Sequence, residues 1–129
     1  WLKSIYEHNM TYNKNEDLIN EELKDLPIQL PWQDSKTYSS FHLYVIRLNL
    51  DETYIAHKEF FTKMRNAGIL VNLHYIPVYF HPYYRRLGFK KGYCVEAEKY
   101  YSDAISIPMF PSLKSKDQMK VIKTIKSII

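Results

Sequence analysis

The sequence predicts an α/β fold of the α+β kind, a compact sandwich in which helices cover one face of a small sheet. Three observations lead to this prediction. Residues 41–50, FHLYVIRLNL, are rich in β-forming residues and apolar on both faces, as is typical of a central strand. Apolar residues recur at helical spacing after that strand and again near the C-terminus. The chain has 129 residues, which suits a single domain.

The first 24 residues are predicted to be helical, with an interruption near residues 13–15, NKN. Leu18 and Leu23 offer weak packing positions. Pro27 and Pro31 predict an extended linker after this helix. Helical spacing is already present at the start of the sequence, so we expect the sequence to begin inside a helix of a longer protein. The residues that show this spacing are Trp1, Leu2, Ile5 and Tyr6.

A helix and a second strand are predicted to follow the central strand. Asp51 or Thr53 can cap the start of this helix. Gly68 can end it as the residue after the C-cap. Residues 69–73 then have the composition of a strand. The helix carries an apolar stripe at steps of four, four and three residues, formed by Ala56, Phe60, Met64 and Ala67.

The C-terminal part is predicted to hold a helix over residues 95–104, a short strand over residues 105–107, and a last helix. Pro108 and Pro111 close the strand, and Ser115 with Gln118 predicts a capping box for the last helix. This helix has an apolar face formed by Ile122, Ile125 and Ile129. Its opposite face carries Lys116, Lys120, Lys123 and Lys126, which we interpret as a solvated face in preference to a nucleic-acid site.

The composition excludes several kinds of site. A single cysteine, Cys94, cannot form an internal disulfide or a cysteine-rich zinc site, and it fits a reducing, cytoplasmic location. Three glycines are too few for a glycine-built phosphate loop, and no HExxH or CxxC motif is present, so we predict no metal site. No apolar run has the length of a membrane helix, and no signal peptide opens the sequence. The net charge of +4 allows a phosphate-bearing partner without requiring one.

One segment is unusual for a small domain, residues 72–84, NLHYIPVYFHPYY. It holds two His, two Pro and four Tyr in thirteen positions. Pro77 and Pro82 restrict the loop and so reduce the entropy lost on binding, and strand ends are frequent ligand sites. The segment therefore predicts one wall of a binding site. A buried aromatic cluster under a loop is the alternative, just as His42, at the entry to the central strand, is either a site residue or an ordinary strand residue.

The order of the motifs resembles one known family. The motifs are FHLYVI at 41–46, RNAGI at 65–69, HYIPV at 74–78, PYYRRLG at 82–88, AEKYY at 97–101 and ISIPMFPSL at 105–113. Together they resemble the C-terminal small domain of the DegT/DnrJ/EryC1/StrS aminotransferases. The family often has proline where this chain has Val95, which is expected to reduce local rigidity at that helix start.

The resemblance implies the small domain of a fold-type I aminotransferase, with a small, mainly antiparallel sheet covered by helices. Residues 38–129 would be this domain, and residues 1–37 a domain-joining helix and linker. The large domain would carry the Schiff-base lysine and hold pyridoxal 5′-phosphate (PLP). No catalytic or cofactor-binding residue is therefore expected in this chain, and the chain alone is expected to be inactive.

The resemblance also implies a reaction and its partners. A homodimeric, cytoplasmic enzyme would transfer an amino group from glutamate to a nucleotide-linked keto sugar. The nearest branch acts on a UDP-4-keto-6-deoxy-N-acetylhexosamine in pseudaminic acid biosynthesis. The residues expected to bind the sugar nucleotide are His74 and Tyr75 first, followed by His42, Tyr79, His81 and Tyr83.

Two other functions stay open on the residues alone. A basic, aromatic-rich domain can act as a stand-alone nucleic-acid-binding module, although residues 41–50 lack the glycine-aromatic pattern of an RNA-binding strand. A purely structural dimerisation module is the third possibility. We expect neither a nucleic acid nor a membrane to be the partner.

Overall fold

A single antiparallel sheet organises the chain in a computed structural model that describes residues 16–37, 39, 41–110 and 112–129. Its strands are β1 (Ile28–Gln29), β2 (Tyr44–Leu48) and β3 (Ala104–Ile107), in the order β1-β2-β3. Both pairs are antiparallel, with Ile28 opposite Leu48 and Tyr44 opposite Ile107. The central strand and the short strand near residue 105 are therefore confirmed.

Helices account for most of the remaining regular structure. Their ranges are 16–23 for α1, His57–Asn66 for α2, Pro82–Arg86 for α3, Val95–Asp103 for α4 and Ser115–Ile128 for α5, with a 3-10 turn at Val78–Phe80. Gly68 follows the C-cap of α2 with a φ of +77°, where a side chain would be strained. The predicted helical spacing of residues 1–15 lies outside the described residues.

The core lies between the sheet and two helices. Successive strand residues point to opposite faces, and the buried residues of β2 are Tyr44, Ile46 and Leu48. Against them pack fully buried residues of α2 and α5, which are Phe60, Met64, Ile122 and Ile125. The predicted lysine face of α5 is confirmed, because all four of its lysines are exposed.

The other face of β2 contacts α4 through Arg47. Arg47 Nε and Nη2 lie 2.8 and 2.9 Å from the two carboxylate oxygens of Asp103, the last residue of α4. The Arg47 guanidinium also lies over the Tyr100 ring, 5.4 Å from its centroid. The hydrogen bonds to Asp103 raise the pKa of Arg47. This forked geometry fixes the end of α4 relative to the sheet.

α1 is attached to the sheet and to α5 by polar contacts. Asn20 Oδ1 accepts a hydrogen bond from the Tyr44 hydroxyl, and Asn20 Nδ2 donates to Glu16 Oε1 at 3.0 Å. Burial raises the pKa of Tyr44, with a smaller contribution from Glu16. Lys126 on α5 lies 2.6 Å from Glu22 on α1. These contacts hold the helix against the core that Leu23 enters.

Several local predictions were wrong. Residues 69–73 form no strand, because within the described residues only Asn72 of this segment pairs with β3, in an isolated bridge to Ser106. Ala56 is the N-cap of α2 and Lys114 that of α5, and neither helix start has a side-chain cap hydrogen bond. The predicted linker between the two prolines contains β1, which is hydrogen-bonded to β2.

Candidate functional site

An exposed segment leaves the core after His74 and returns at the start of α4. We call residues 75–93 the excursion. It contains the 3-10 turn and α3, and only Pro77 in it is buried. It nevertheless carries seven Tyr and Phe residues. Exposed aromatic rings in such number make this segment a candidate contact surface.

The rings of the excursion pack on one another instead of on the core. Six of them form a continuous series of edge-to-face contacts, with centroids 4.9–6.1 Å apart, in the order Phe80, Tyr79, Tyr93, Phe89, Tyr84 and Tyr83. This range is favourable for aromatic pairs. Arg85 lies over the Phe80 ring at 5.8 Å. The excursion therefore has its own small aromatic cluster.

Glu98, on α4, binds two distant points of the excursion. Its Oε1 lies 2.7 Å from the Tyr79 hydroxyl and 2.6 Å from the Gly92 backbone nitrogen, and both groups donate to it. The Tyr79 hydroxyl also lies 3.0 Å from the Cys94 carbonyl oxygen. Desolvation and the hydrogen bond to Glu98 raise the pKa of Tyr79 to about 12. We call the Tyr79–Glu98–Gly92 contact the clasp.

His74 lies inside the domain at the base of the excursion. It is 9% exposed, and its Nε2 lies 2.6 Å from Ser106 Oγ on β3. Its Nδ1 is buried without a hydrogen-bond partner among the described residues. Its ring contacts that of Tyr75 edge-on at 4.5 Å, across a cis peptide bond. A buried polar atom without a partner is uncommon in proteins, so this imidazole still has one hydrogen-bonding position to offer.

The other predicted site residues of the excursion are more accessible. Tyr75 is 71% exposed and Tyr83 is 60% exposed. His81 is exposed at the N-cap of α3, while Tyr79 is half-buried in the clasp. The structure thus brings four predicted residues to one surface segment and places the fifth, His74, beneath its start.

His42 lies on a separate depression that reaches the same part of β3. It is exposed and lines a cavity of about 460 Å³. Asn72 and Ser106 also line this cavity, whose remaining wall is largely apolar. Ser106 therefore contacts His74 and also contributes to the cavity that His42 lines.

The charge of the excursion is entirely positive. It contains Arg85, Arg86, Lys90 and Lys91, and no Asp or Glu occurs between Phe60 and Val95. Guanidinium and ammonium groups bind phosphate oxygens, and exposed rings stack on sugars or bases. Such a surface suits an anion that carries a ring. The described residues of this surface can bind and orient such a molecule.

Every lysine in the described part of the chain is exposed. The three glycines lie apart, at the ends of separate helices and turns. In addition, no helix in the described part of the chain has the length and apolarity needed to cross a membrane.

Three residues that organise this region carry no signal in the sequence. Glu98 is a carboxylate near a helix start, where the helix dipole is enough to account for it, and nothing singles out Ser106 or Asp103. Glu98 is 19 positions from Tyr79, and Ser106 is 32 positions from His74. Contacts of this separation follow no helical or strand period, so no local pattern could have found them.

Comparison with known proteins gives a consistent family. Residues 1–126 match the family model described as the DegT/DnrJ/EryC1/StrS aminotransferase family. The chain is 35% identical over 91 residues to the UDP-4-amino-4,6-dideoxy-N-acetyl-beta-L-altrosamine transaminase of Campylobacter jejuni. That alignment covers 70% of this chain and 24% of the relative.

Solved structures share the fold. Spr1654 from Streptococcus pneumoniae superimposes with a TM-score of 0.86 at 22% identity, over 98% of this chain and 32% of that one. Helicobacter pylori PseC, an aminotransferase involved in the biosynthesis of pseudoaminic acid, gives 0.83 at 23% identity, over 94% and 32%. The small antiparallel sheet with its helices thus matches fold-type I aminotransferase structures. The chain spans less than a third of the length of these relatives.

Proposed function

Because this chain belongs to the DegT/DnrJ/EryC1/StrS aminotransferase family, we propose that it is the C-terminal small domain of a PLP-dependent sugar aminotransferase. Residues 38–129 form the domain in this proposal, and residues 1–37 join it to a large domain. The remaining two thirds of the enzyme would hold PLP and its lysine in this proposal, which the partial coverage of the solved relatives supports, since the chain spans 32% of each. A homodimer and a glutamate donor complete the proposal.

The excursion is the observation that supports a substrate-binding role for this domain. It presents exposed rings and four cations without a neighbouring acid in the sequence. A nucleotide sugar offers the complementary groups, which are a base, a diphosphate and a sugar ring. Binding energy from parts of a substrate that do not react can orient the part that does. The domain would therefore position the keto carbon for the chemistry of the large domain.

Each site residue has a role within this proposal. Tyr75 and Tyr83 are exposed enough to stack on the base or sugar. His81 can bind a hydroxyl or phosphate oxygen. His74, held by Ser106, would direct its free Nδ1 to a group that arrives with substrate or with the large domain. Tyr79 supports the ring cluster, and His42 would contact substrate at the edge of its cavity.

The names of two relatives support a substrate class. The C. jejuni relative carries the name of a UDP-linked amino-dideoxy-N-acetyl sugar transaminase, and the H. pylori neighbour is described as acting in pseudoaminic acid biosynthesis. We therefore assign a UDP-4-keto-6-deoxy-N-acetylhexosamine as the amino acceptor.

The test uses the full natural polypeptide that contains this sequence. A yellow, borohydride-reducible chromophore and an aminated UDP-sugar, formed with glutamate and detected by mass spectrometry, are expected. Tyr83→Ala should raise the KM for the sugar nucleotide about tenfold without changing the KM for glutamate. His74→Ala should raise that KM or lower kcat.

Tyr54→Ala is the matched control, because Tyr54 is a fully exposed tyrosine outside the excursion. Its kinetics should equal those of the wild type. A colourless protein that aminates no nucleotide sugar would contradict the proposed function. Unchanged kinetics in both the Tyr83 and the His74 variants would remove the site assignment.

A second function has one observation in its favour, which is the combination of four cations and seven rings in the excursion. Single-stranded RNA also binds to cations and stacked rings. Filter binding with single-stranded RNA separates the two functions. Salt-dependent binding that is lost when Arg85 and Arg86 are changed to Ala would favour the RNA-binding module.

A further inference from the structure

The excursion has few attachments to the domain that carries it. Of residues 75–93, only Pro77 is buried, so packing on the core contributes little to its position. The ring series holds the excursion together internally, but these contacts lie within residues 79–93. A contact to another element is needed to fix where the exposed rings point.

The clasp supplies that contact at two places. Tyr79 lies near the start of the excursion and Gly92 near its end, and both donate to the same oxygen of Glu98. Glu98 is on α4, whose last residue is fixed to the sheet by the Arg47–Asp103 ion pair. The carboxylate therefore connects both ends of the excursion, through α4, to the central strand.

The backbone at Gly92 fits this role. Gly92 has a φ of +90°, which directs the chain through a turn that other residues adopt with strain. Its N–H points at Glu98 from outside the helix. A hydrogen bond to a charged acceptor is roughly twice as strong as a neutral one. One carboxylate thus stabilises both the turn and the ring cluster.

We propose that Glu98 is a positioning residue, which fastens both ends of the excursion and so fixes the ring surface that meets the sugar nucleotide. The second part, the effect on the sugar nucleotide, rests on the proposed function. The first part, the fastening of the excursion, concerns the order of residues 75–93 and is measurable without activity.

The experiment compares four variants of the full natural protein. Glu98→Ala removes the carboxylate, and Tyr79→Phe removes one of its two donors. Glu98→Gln keeps a carbonyl oxygen that can accept both hydrogen bonds. Glu96→Ala is the control, because Glu96 is an exposed acid two positions away on α4 that makes no hydrogen bond to the excursion among the contacts of the described residues.

The first readout is limited trypsin cleavage after Arg85, Arg86, Lys90 and Lys91, together with hydrogen exchange of the Gly92 amide. Glu98→Ala should accelerate the cleavage and the amide exchange about tenfold or more. A loosely held loop is open for a larger fraction of the time, and both reactions take place in the open form. Tyr79→Phe should accelerate cleavage less, and Glu98→Gln least. Cleavage on α5 should stay unchanged, which separates local opening from global unfolding.

The second readout is steady-state kinetics. Glu98→Ala should raise the KM for the sugar nucleotide about tenfold, with kcat and the KM for glutamate within about twofold of wild type. Glu98→Gln should restore most of the affinity. A purely structural role would lower the amount of active enzyme without moving the ratio of the two KM values.

The outcomes are separable. Cleavage and exchange in Glu98→Ala equal to those in Glu96→Ala would overturn the inference, and if the Ala variant fails to fold, Tyr79→Phe is compared with Glu96→Ala in its place. Faster cleavage with an unchanged KM for the sugar nucleotide would overturn the positioning role. Faster cleavage in a protein that aminates no nucleotide sugar would overturn the proposed function and leave the fastening role supported.

Discussion

The core and the excursion are both rich in large apolar side chains, but they use them in opposite ways. In the core, Tyr44, Phe60 and Ile105 have no exposed surface. In the excursion, Tyr75, Tyr83 and Tyr93 each remain at least 60% exposed. Burial of apolar area stabilises a fold in proportion to the area removed from water. The core therefore accounts for stability, whereas the rings of the excursion stay exposed.

This difference explains why ring content alone is a poor guide to function. Tyrosine is found in both regions, as the buried Tyr44 of β2 and as the exposed Tyr83 of α3. What separates them is whether a second layer lies over the ring. A sequence pattern shows the ring but not that layer.

The largest expected effect tests the core. Phe60→Ala should lower the free energy of unfolding by about 3–5 kcal/mol, because the ring is fully buried and its removal leaves a cavity. Denaturant unfolding followed by circular dichroism measures the change. A loss below about 1 kcal/mol would mean that this layer is loosely packed and that the contrast between the two regions is wrong.

The next effect tests the connection between the sheet and the helix that holds the excursion. Asp103→Asn should cost about 2–3 kcal/mol, because Asp103 is nearly buried and forms two hydrogen bonds with Arg47. Glu59→Gln is the control, since its pair with Lys63 is about half exposed and should contribute less than about 0.5 kcal/mol. Equal losses in the two variants would contradict the assignment of a structural role to the Arg47 pair.

A smaller effect concerns alkaline pH. The folded pKa of Tyr79 is raised from 10.0 to about 12. Between pH 10 and pH 12 the folded protein binds the Tyr79 phenol proton more tightly than the unfolded chain does. The stability that the Tyr79 hydroxyl contributes is therefore complete below pH 10 and is lost as pH rises toward 12. The stability difference between wild type and Tyr79→Phe should therefore shrink at high pH. A difference that stays constant or grows with pH would contradict the clasp geometry.

The smallest effect on stability is expected in the excursion itself. Tyr83→Ala should change the free energy of unfolding by no more than about 0.5 kcal/mol, because the ring is mostly exposed. The same variant is expected to have a large effect on KM. A loss of stability comparable to that of Phe60→Ala would show that the excursion belongs to the core.

The sequence predicts those elements whose signal is local and repeated. β2 follows from its run of β-forming residues, β3 from the prolines that close it and α5 from its helical period, and α2 ends where Gly68 predicts. β1 has only two residues between prolines, which is too short to show a period, and it exists because β2 has a free edge to pair with. The predicted caps were wrong, both Asp51 or Thr53 for α2 and Ser115 for α5. The N-caps are Ala56 and Lys114, which are extended, and neither helix start has a side-chain cap hydrogen bond.

The candidate site was only partly predictable for the same reason. The ring-rich segment and its two prolines mark residues 72–84 in the sequence. The burial of His74 under β3 and the fastening of Tyr79 by Glu98 depend on contacts across 32 and 19 positions. The geometry of these two contacts is set by the path of the chain through the turn at Gly92 and through the sheet. No single pair of residues in the sequence specifies that path.

The bridge between Asn72 and Ser106 has a consequence for self-association. β3 is an edge strand of the sheet, and within the described residues one reciprocal pair occupies its outer edge. Asn72 N lies 3.1 Å from Ser106 O, and Ser106 N lies 2.9 Å from Asn72 O. An unpaired strand edge is a template for another chain. Asn72→Pro would remove the Asn72 N–H that donates to Ser106 O, and so would uncover the outer edge of β3. All four residues of β3, AISI, are buried. The first sign of the loss of this bridge would be concentration-dependent light scattering, as one sheet edge pairs with the same edge of a second molecule.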